Sequence, residues 1–321
     1  MATYTAFSLR EARRIGAEFG LDVRGVVGIA AGSVNSNYRL EIGGGERVFA
    51  RVYEEQDRDG AESEASLLTH LARHGVVTPR PLPRRDGAGF TGLVCGRPVA
   101  LFPWSRGETL CQARVTPRIA HRVGIEIARV HLAGRSFRFA KPGRFQIENL
   151  RVRLAAIAQA QDAEIRGMAS VLATELNRCD RERDTGLAGG VIHGDLFRDN
   201  VLWQDGMPTA LLDFESASDG PWVYDLLVTV LAWCYRSDID LDLIRAMLAG
   251  YRSVRPLDER ERASLAVEGR VAALRFTITR ITDYALRGSI GERVTKDWRR
   301  FWARHQEIAA LGNAKLVGLC E

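Results

Sequence analysis

A polar string at residues 193–200 constrains the fold of this chain more than any other segment. It reads His-Gly-Asp-Leu-Phe-Arg-Asp-Asn, and the short apolar segments beside it, residues 190–192 and 201–203, have the composition of buried strands. Another short apolar segment, residues 210–212, leads directly into Asp213. The sequence therefore predicts polar loops at the ends of short strands, with carboxylate and amide side chains on them.

The residue types in these loops are those that phosphoryl transfer requires. This chemistry needs a carboxylate to orient the attacking hydroxyl and oxygen ligands to hold a metal ion against the phosphates. Asp195 is followed five residues later by Asn200, and Asp213 lies beyond the next strands. The spacing follows the logic of the protein-kinase catalytic loop, and hard oxygen ligands favour Mg²⁺. We interpret Asp195 as the catalytic base and Asn200 and Asp213 as the metal ligands.

Other polar residues of the string have simpler interpretations. His193 is expected to brace the loop through hydrogen bonds rather than to accept a proton. Asp199 is either a second loop carboxylate or a solvated surface residue. A lone His-x-Asp could be an ordinary turn, but the whole string followed by Asp213 is hard to obtain by chance.

The overall charge does not point to a nucleic-acid partner. The chain has 321 residues and a net charge of +5, but its basic residues are scattered, without the dense run that a nucleic-acid groove usually needs. The composition, 46% hydrophobic and 26% charged, is that of a globular protein. The sequence thus predicts one large domain or two lobes, with no nucleic acid bound.

Cysteine spacing and hydropathy limit the class further. The five cysteines are widely spaced and form no Cys-x-x-Cys pair, which argues against a disulfide framework and against a zinc site. The first 24 residues contain charges throughout and lack the apolar core of a signal peptide. No stretch has the length of a membrane span, so the sequence predicts a cytoplasmic protein without a membrane partner.

Periodicity divides the chain into a β-rich first third and a mainly helical remainder. We predict lobes at residues 1–103 and 104–321, separated by a cleft, with a short linker near residues 103–107. The predicted helices are residues 8–19, 60–73, 117–133, 147–154 and 164–179, with more after residue 224. The predicted strands are residues 26–29, 37–42, 47–53, 90–93, 98–102, 190–192, 201–203 and 210–212.

The string from His193 to Asn200 together with Asp213 resembles the aminoglycoside phosphotransferase and choline kinase superfamily. Further segments are similar, more narrowly, to the homoserine kinases of this fold. These segments cover nearly the whole chain except about residues 135–185, and they are residues 1–5, 28–38, 190–197, 224–234, 250–257 and 273–280.

The resemblance implies an α+β, two-lobed, protein-kinase-like fold with a small β-rich N-lobe and a larger helical C-lobe. It implies ATP and Mg²⁺ as cofactors and L-homoserine as the small-molecule partner. The oligomeric state is not determined by the sequence.

The segment at residues 28–38 is the candidate phosphate loop. Its small residues would let backbone amides and hydroxyls approach a triphosphate, although an ordinary turn is the alternative. A P-loop is excluded because the chain has no Gly-x-x-x-x-Gly-Lys-Ser/Thr sequence. The residues predicted to bind phosphate here are Gly32, Ser33, Asn35 and Ser36.

The superfamily usually has a lysine on the third strand, paired with a helix glutamate, to hold the nucleotide phosphates. Here Arg51 stands at that position and Glu64 is in register for the glutamate. Arginine keeps the charge but presents a planar fork instead of a point charge. The alternative is that Arg51 extends into solvent.

Three further residues follow from the family pattern. Pro103 and Trp104 lie where the lobes should join, so we assign them to the adenine site, although Trp104 could equally belong to the core. Asp225 resembles a residue that anchors the catalytic loop from a helix start, and we assign it a structural role.

Homoserine has an ammonium and a carboxylate, so its site needs an anionic or aromatic partner and a cationic one. We assign Glu215, Arg275 and Arg280 to the substrate. Arg280 could instead pair with Asp283 on the same helix face. The remaining candidates are Asp219, Trp233, Asp283 and Tyr284.

Several functions stay open at this point. Another small-alcohol kinase, acting on an aminoglycoside, choline or an amino sugar, would share the same loop. A catalytically silent nucleotide-binding pseudokinase is disfavoured because Asp195, Asn200 and Asp213 are all present. A protein kinase is disfavoured because Asp213-Phe214-Glu215 replaces Asp-Phe-Gly and no Ala-Pro-Glu segment follows.

Overall fold

A computed structural model of the chain describes residues 5–30, 34–139, 143, 145–286 and 296–321. Its contacts divide into two compact units, the first ending at Gly107 and the second beginning at Glu108. The boundary expected from the sequence, after residue 103, stays a prediction.

The first unit contains an antiparallel five-stranded sheet in the order β1-β2-β3-β5-β4 and the helices α1 and α2. Its elements are α1 (Leu9–Glu18), β1 (Val23–Gly28), β2 (Ser36–Ile42), β3 (Arg47–Val52), α2 (Arg58–Arg73), β4 (Thr91–Val94) and β5 (Arg97–Pro103).

Helix α1 begins as its sequence predicts. The hydroxyl of Ser8 accepts a hydrogen bond from the Glu11 amide, and the Glu11 carboxylate accepts one from the Ser8 amide. This reciprocal capping satisfies amides that lack helical partners at the first turn. The apolar face of the helix, including Ala12 and Ile15, is buried with side chains of the sheet, among them Leu40 and Val99. Burial of that face fixes the helix against the sheet.

The second unit is mainly helical, with short antiparallel strand pairs β6-β9 and β7-β8. Its strands are β6 (Gly189–Ile192), β7 (Val201–Gln204), β8 (Met207–Leu211) and β9 (Ser218–Pro221). Its helices are α3 (Pro117–Ala133), α4 (Ile147–Ala158), α5 (Ala163–Glu182), α6 (Trp222–Trp233), α7 (Leu241–Arg252), α8 (Glu259–Ala263), α9 (Leu265–Arg280) and α10 (Arg299–Gly318).

Helices α3 and α7 pack closely through two glycines. A Cβ on Gly124 would lie 2.1 Å from the carbonyl oxygen of Met247, and one on Gly250 would lie 2.0 Å from that of His121. Any side chain at either position would force the helices apart. In contrast, α6 is buried along its whole length, which explains its continuous apolar sequence.

Most predicted elements agree with the structure, and the disagreements lie at their ends. Strand β1 begins three residues before the predicted start, and β8 begins at Met207 instead of residue 210. The sequence reasoning missed β9, because Ser218–Pro221 contains a glycine and a proline that are typical of turns. Pairing with β6 holds this segment extended.

Among the described residues, no helix combines the length and the apolar character that crossing a membrane requires.

His305 on α10 makes the stability of the fold depend on pH. It is 2% exposed, and burial lowers the pKa of its imidazole to about 4, although Glu175 lies 3.3 Å away and acts in the opposite direction. Below pH about 6.5 the unfolded chain takes up a proton that the folded chain does not, so stability falls as the pH falls toward 4.

We expect His305→Gln to remove this contribution. Between pH 7 and pH 4.5, the free energy of unfolding should fall by about 2 kcal/mol less in His305→Gln than in the parent protein. Urea unfolding at a series of pH values measures it, with the exposed His74→Gln as the control. Parallel stability profiles for the parent and His305→Gln would contradict the assignment.

Candidate active site

The predicted catalytic loop leaves the end of β6 through a left-handed turn at Gly194. This residue has φ of 74°, and a Cβ on it would lie 2.8 Å from the carbonyl oxygen of Ser216. Both the backbone conformation and the space therefore require glycine. The turn brings the loop against the segment that follows Asp213.

Asp225, at the start of α6, anchors the loop as the sequence reasoning expected. Its fully buried carboxylate accepts hydrogen bonds from the amides of His193 and Gly194, each at 2.7 Å. It also accepts one from Nε2 of His131 on α3, at 3.0 Å. Burial by itself raises the pKa of Asp225, but the hydrogen bonds and the nearby imidazoles outweigh it and hold that pKa below its usual value.

His193 braces the loop from within, as predicted. The side chain is buried, its Nε2 lies 3.0 Å from the carbonyl oxygen of Leu212, and its ring contacts Phe214 at 4.3 Å between centroids. Its Nδ1 accepts a hydrogen bond from the Asp195 amide at 3.3 Å. Both nitrogens are thus engaged in holding the two loops together.

Asp195 is the loop carboxylate whose environment is most suited to chemistry. Its side chain is 28% exposed, and Nη1 of Arg275 lies 3.6 Å from its Oδ1. Burial raises the pKa of Asp195, the positive charge of Arg275 partly offsets this, and the negative charge of Asp213 adds to it. The net effect is a pKa above the usual range, which makes this carboxylate a better proton acceptor than a solvated aspartate.

Asn200 and Asp213 are held near Asp195 by the β7-β8 hairpin. The side-chain amide of Asn200 donates to the carbonyl oxygen of Asp195 at 2.9 Å, and the Leu212 amide donates to the carbonyl oxygen of Asn200, also at 2.9 Å. The side-chain amide nitrogen of Asn200 is thus engaged, and the assignment of its Oδ1 to a metal ion stays a prediction. Asp213 takes a left-handed conformation with φ of 63°, which is uncommon outside glycine and occurs at functional turns.

These donors fit a magnesium ion better than a transition metal. Within the described residues, no group of three or more His, Cys, Asp or Glu side chains could hold a metal ion. Mg²⁺ does not need such a group, because it is commonly held by one or two protein oxygens together with phosphate and water. Burial is the main cause of the raised pKa of Asp195, and the negative charge of Asp213 adds to it; a bound cation would offset the repulsion between the two carboxylates.

Arg51 and Glu64 form the ion pair that the sequence predicted within the first unit. Nη1 of Arg51, on β3, lies 3.3 Å from Oε1 of Glu64, on α2. The two side chains are only 12% and 4% exposed, so the alternative of a solvated Arg51 is wrong. Their assignment to the nucleotide stays a prediction.

The candidate phosphate loop is only partly described. Gly32 and Ser33 lie outside the described residues, as does most of the first family segment, residues 1–4. Asn35 and Ser36 are buried; Oδ1 of Asn35 accepts a hydrogen bond from the Glu54 amide, and the Ser36 hydroxyl contacts the Glu54 carboxylate. These contacts hold the end of the loop against the β3 terminus.

Pro103 and Trp104 lie at the end of β5. Pro103 is exposed and pairs in register with Val48, and Trp104 is half-buried. Their assignment to the adenine site stays a prediction.

The three substrate candidates lie on elements next to the loop. Glu215 is half-buried, two residues beyond Asp213. Arg275 is 3% exposed and donates to the Gly194 carbonyl oxygen at 2.9 Å, so it also braces the loop. Arg280 lies over the ring of Phe301, 4.4 Å from its centroid, and donates to the Asp297 carbonyl oxygen.

The remaining candidates are less suited to bind substrate. Trp233 is fully buried and donates its indole N–H to the Leu196 carbonyl oxygen. Asp283 is held in an ion pair with Arg153, and Asp219 is exposed. Tyr284 has the ammonium of Lys296 near its ring.

His131 and Arg198 are supporting residues that the sequence reasoning missed. His131 is fully buried, holds Asp225, and lies 2.8 Å from the Tyr251 hydroxyl. Arg198, inside the loop, donates to the Ala232 carbonyl oxygen at 2.6 Å. No local pattern could have identified His131, because its partner lies 94 residues further along the chain.

Comparison with known proteins identifies the family of this chain. The phosphotransferase enzyme family matches residues 25–261. The homoserine kinase of Mesorhizobium japonicum is 32% identical over 300 residues, and the alignment covers 93% of each chain. The homoserine kinase of Rhizobium etli is 35% identical over 302 residues, covering 91% of each chain.

Solved structures share the fold at lower identity. An amicoumacin kinase in complex with AMP-PNP and Ca²⁺ has a TM-score of 0.70 at 14% identity, covering 95% of this chain and 94% of its own. A choline kinase from Cryptosporidium parvum has a TM-score of 0.65 at 14% identity, covering 91% of each chain.

The predicted α+β kinase-like fold, with a β-rich N-terminal unit and a larger helical C-terminal unit, is therefore confirmed. The chain belongs to the phosphotransferase enzyme family and, within it, to the homoserine kinases.

Proposed function

We propose that the protein transfers the γ-phosphoryl group of ATP to the side-chain hydroxyl of L-homoserine. The observation that carries the proposal is the position of Asp195, a partly accessible carboxylate 3.6 Å from Nη1 of Arg275, in a loop that hydrogen bonds fix from several sides. The identity to curated homoserine kinases supports the choice of acceptor.

In this proposal Asp195 accepts the proton of the homoserine hydroxyl. The hydroxyl oxygen forms a bond to the γ-phosphorus while the bond from that phosphorus to the β,γ-bridging oxygen breaks, which releases ADP. The hydrogen bond from Asn200 to the Asp195 carbonyl oxygen and the amide–imidazole contact with His193 keep the base in place. Such positioning accounts for much of the rate in this chemistry.

Asn200 and Asp213 would hold Mg²⁺, through Oδ1 of Asn200 and the carboxylate of Asp213. The bound ion would neutralise charge on the transferring phosphoryl group. Two protein ligands are enough for Mg²⁺ when phosphate oxygens and water complete the octahedron.

The first unit would supply the contacts to the nucleotide. We assign the phosphates to Arg51, which Glu64 orients, and the adenine to the backbone at Pro103 and Trp104. The backbone and side chains of the small-residue loop would cover the phosphates, and these are Gly32, Ser33, Asn35 and Ser36.

On the acceptor side, Glu215 would face the ammonium of homoserine, and Arg275 and Arg280 its carboxylate. The hydrogen bond from Arg275 to Gly194 gives this residue a positioning role in addition.

A panel of acceptors tests the proposed function. Purified protein with Mg²⁺ and ATP should phosphorylate L-homoserine and should not turn over choline or kanamycin. ADP release and a phosphate-monoester product identified by mass spectrometry are the readouts. Turnover of another alcohol but not of homoserine would contradict the choice of acceptor and leave the kinase activity standing. Absence of turnover with every acceptor would contradict the kinase activity itself.

Replacing Arg51 with methionine tests its role at the nucleotide. We expect the KM for ATP to rise by about 10- to 100-fold, because charge-assisted hydrogen bonds to phosphate are lost, while the KM for homoserine stays within about twofold. The control is Arg47→Met, at an exposed position on the same strand. An unchanged KM for ATP in Arg51→Met would contradict the assignment.

A further inference from the structure

Arg304 on α10 is a buried cation without a carboxylate partner among the described residues. Its side chain is 5% exposed, and its guanidinium lies over two rings, 4.2 Å from the centroid of Tyr235 and 4.3 Å from that of Phe301. Its Nε–H is buried and donates no hydrogen bond within the described part of the chain. A buried charge of this kind is costly unless something compensates it.

Other arginines gather around Arg304 and increase the excess of positive charge. Arg280 lies over the same Phe301 ring, 4.4 Å from its centroid. Burial, and then the charges of Arg280 and Arg300, lower the pKa of Arg304 to about 9. Burial and Arg300 likewise lower the pKa of Arg280 to about 10. Each guanidinium thus lies close to other positive charges, and a bound anion would offset the repulsion among them.

The arginine cluster, defined here as Arg280, Arg300 and Arg304, adjoins the catalytic loop. The ring of Phe301 packs against Phe276 at 4.7 Å and against Phe197, two residues beyond Asp195, at 5.9 Å. The charge of Asp195 also acts on Arg280. Packed aromatic side chains therefore connect the arginine cluster with the loop of the proposed base within the second unit.

We propose that Arg304, together with Arg280, binds the carboxylate of the amino-acid acceptor. This proposal rests on the proposed function and adds to it the residue that selects an alcohol with a carboxylate over one without it. A guanidinium presents a planar fork that matches a carboxylate, and the rings beneath keep that fork oriented. Arg275 can assist them from the other side of the loop's backbone contact, since its bond to the Gly194 carbonyl oxygen uses Nη1 alone.

The chemistry of the acceptor supplies a direct probe. 3-Aminopropan-1-ol keeps the hydroxyl and the ammonium of homoserine and lacks only the carboxylate. A site built to hydrogen-bond a group discriminates strongly against an analogue without it. The parent protein should therefore use homoserine with a kcat/KM about 1,000-fold above that for 3-aminopropan-1-ol.

The experiment compares both acceptors in Arg304→Met, which keeps an apolar stem over the rings. We expect kcat/KM for homoserine to fall about 100-fold, mainly through KM, and that for 3-aminopropan-1-ol to stay within about threefold. Arg304→Lys should recover part of the loss, since it restores the charge without the fork. The control is Arg299→Met, at an exposed arginine of the same helix.

The outcomes separate this inference from the function on which it rests. Equal losses with both acceptors, or no loss with either, would overturn the role of Arg304 and leave homoserine phosphorylation intact. Absence of homoserine turnover in the parent protein would instead overturn the proposed function. Circular dichroism identifies a misfolded variant before the kinetics are compared, so an equal loss with both acceptors is judged only in folded protein; if Arg304→Met does not fold, Arg304→Lys takes its place in the comparison.

Discussion

Asp195→Asn is expected to lower kcat by about two to four orders of magnitude while ATP continues to bind. An amide of the same shape keeps the hydrogen-bonding geometry of the loop, but it cannot accept the proton of the attacking hydroxyl. The residues assigned to the nucleotide lie in the first unit, so the affinity for ATP should change by no more than about threefold. Steady-state kinetics and calorimetric titration with a non-hydrolysable ATP analogue measure the two effects.

The matched control for this substitution is Asp199→Asn. Asp199 belongs to the same loop and is exposed. Asp199→Asn therefore removes one negative charge from the loop, as Asp195→Asn does, and leaves the proposed base unchanged. We expect its kcat within about twofold of the parent value. A kcat in Asp195→Asn within tenfold of the parent would contradict the assignment of the base.

Asp225→Asn is expected to destabilise the second unit by about 3 to 5 kcal/mol and to lower activity with it. Both oxygens of the buried Asp225 carboxylate accept hydrogen bonds, one from Gly194 and the other from His193 and His131. An asparagine must turn its NH₂ group toward one of these donors, which leaves buried donors facing each other. Urea unfolding and kcat on the same preparation measure the two losses.

The network around Asp225 also has a characteristic pH dependence. The folded-state pKa of Asp225 is held below its usual value, so its contribution to stability is present above pH about 4 and is lost as the pH falls further. This acid-side loss should be absent in Asp225→Asn. The control is Asp219→Asn, at an exposed carboxylate on β9. An unfolding midpoint in Asp225→Asn equal to the parent's would contradict the anchoring role.

The order of helices and strands could largely be predicted from the sequence. Helix α1 has its capping residues and apolar face within eleven residues of chain, and α3 has the predicted bounds, residues 117–133. Such signals are local, because capping and periodic burial involve residues a few positions apart. Element ends such as the start of β8 were less predictable, since pairing with β7 extends the strand beyond its apolar part.

The reactive loop was predictable for a different reason. Asp195, Asn200 and Asp213 lie within 19 residues and carry the side chains that phosphoryl transfer needs, so their spacing alone identified the chemistry. The pairing of Arg51 with Glu64 followed from the family pattern, and the structure confirms it as a buried contact. The roles of these residues in binding and catalysis stay predictions.

The sequence by itself therefore determined the class of protein, the order of its elements and the loop that carries its chemistry. The tertiary structure alone decided which residues support that loop and which charges gather beside it. His131 reaches Asp225 across 94 positions, and the guanidinium groups of Arg304 and Arg280 both lie near the ring of Phe301. The physical reason is that such contacts depend on how helices pack, and a residue carries no local mark of a partner that folding brings to it from far along the chain.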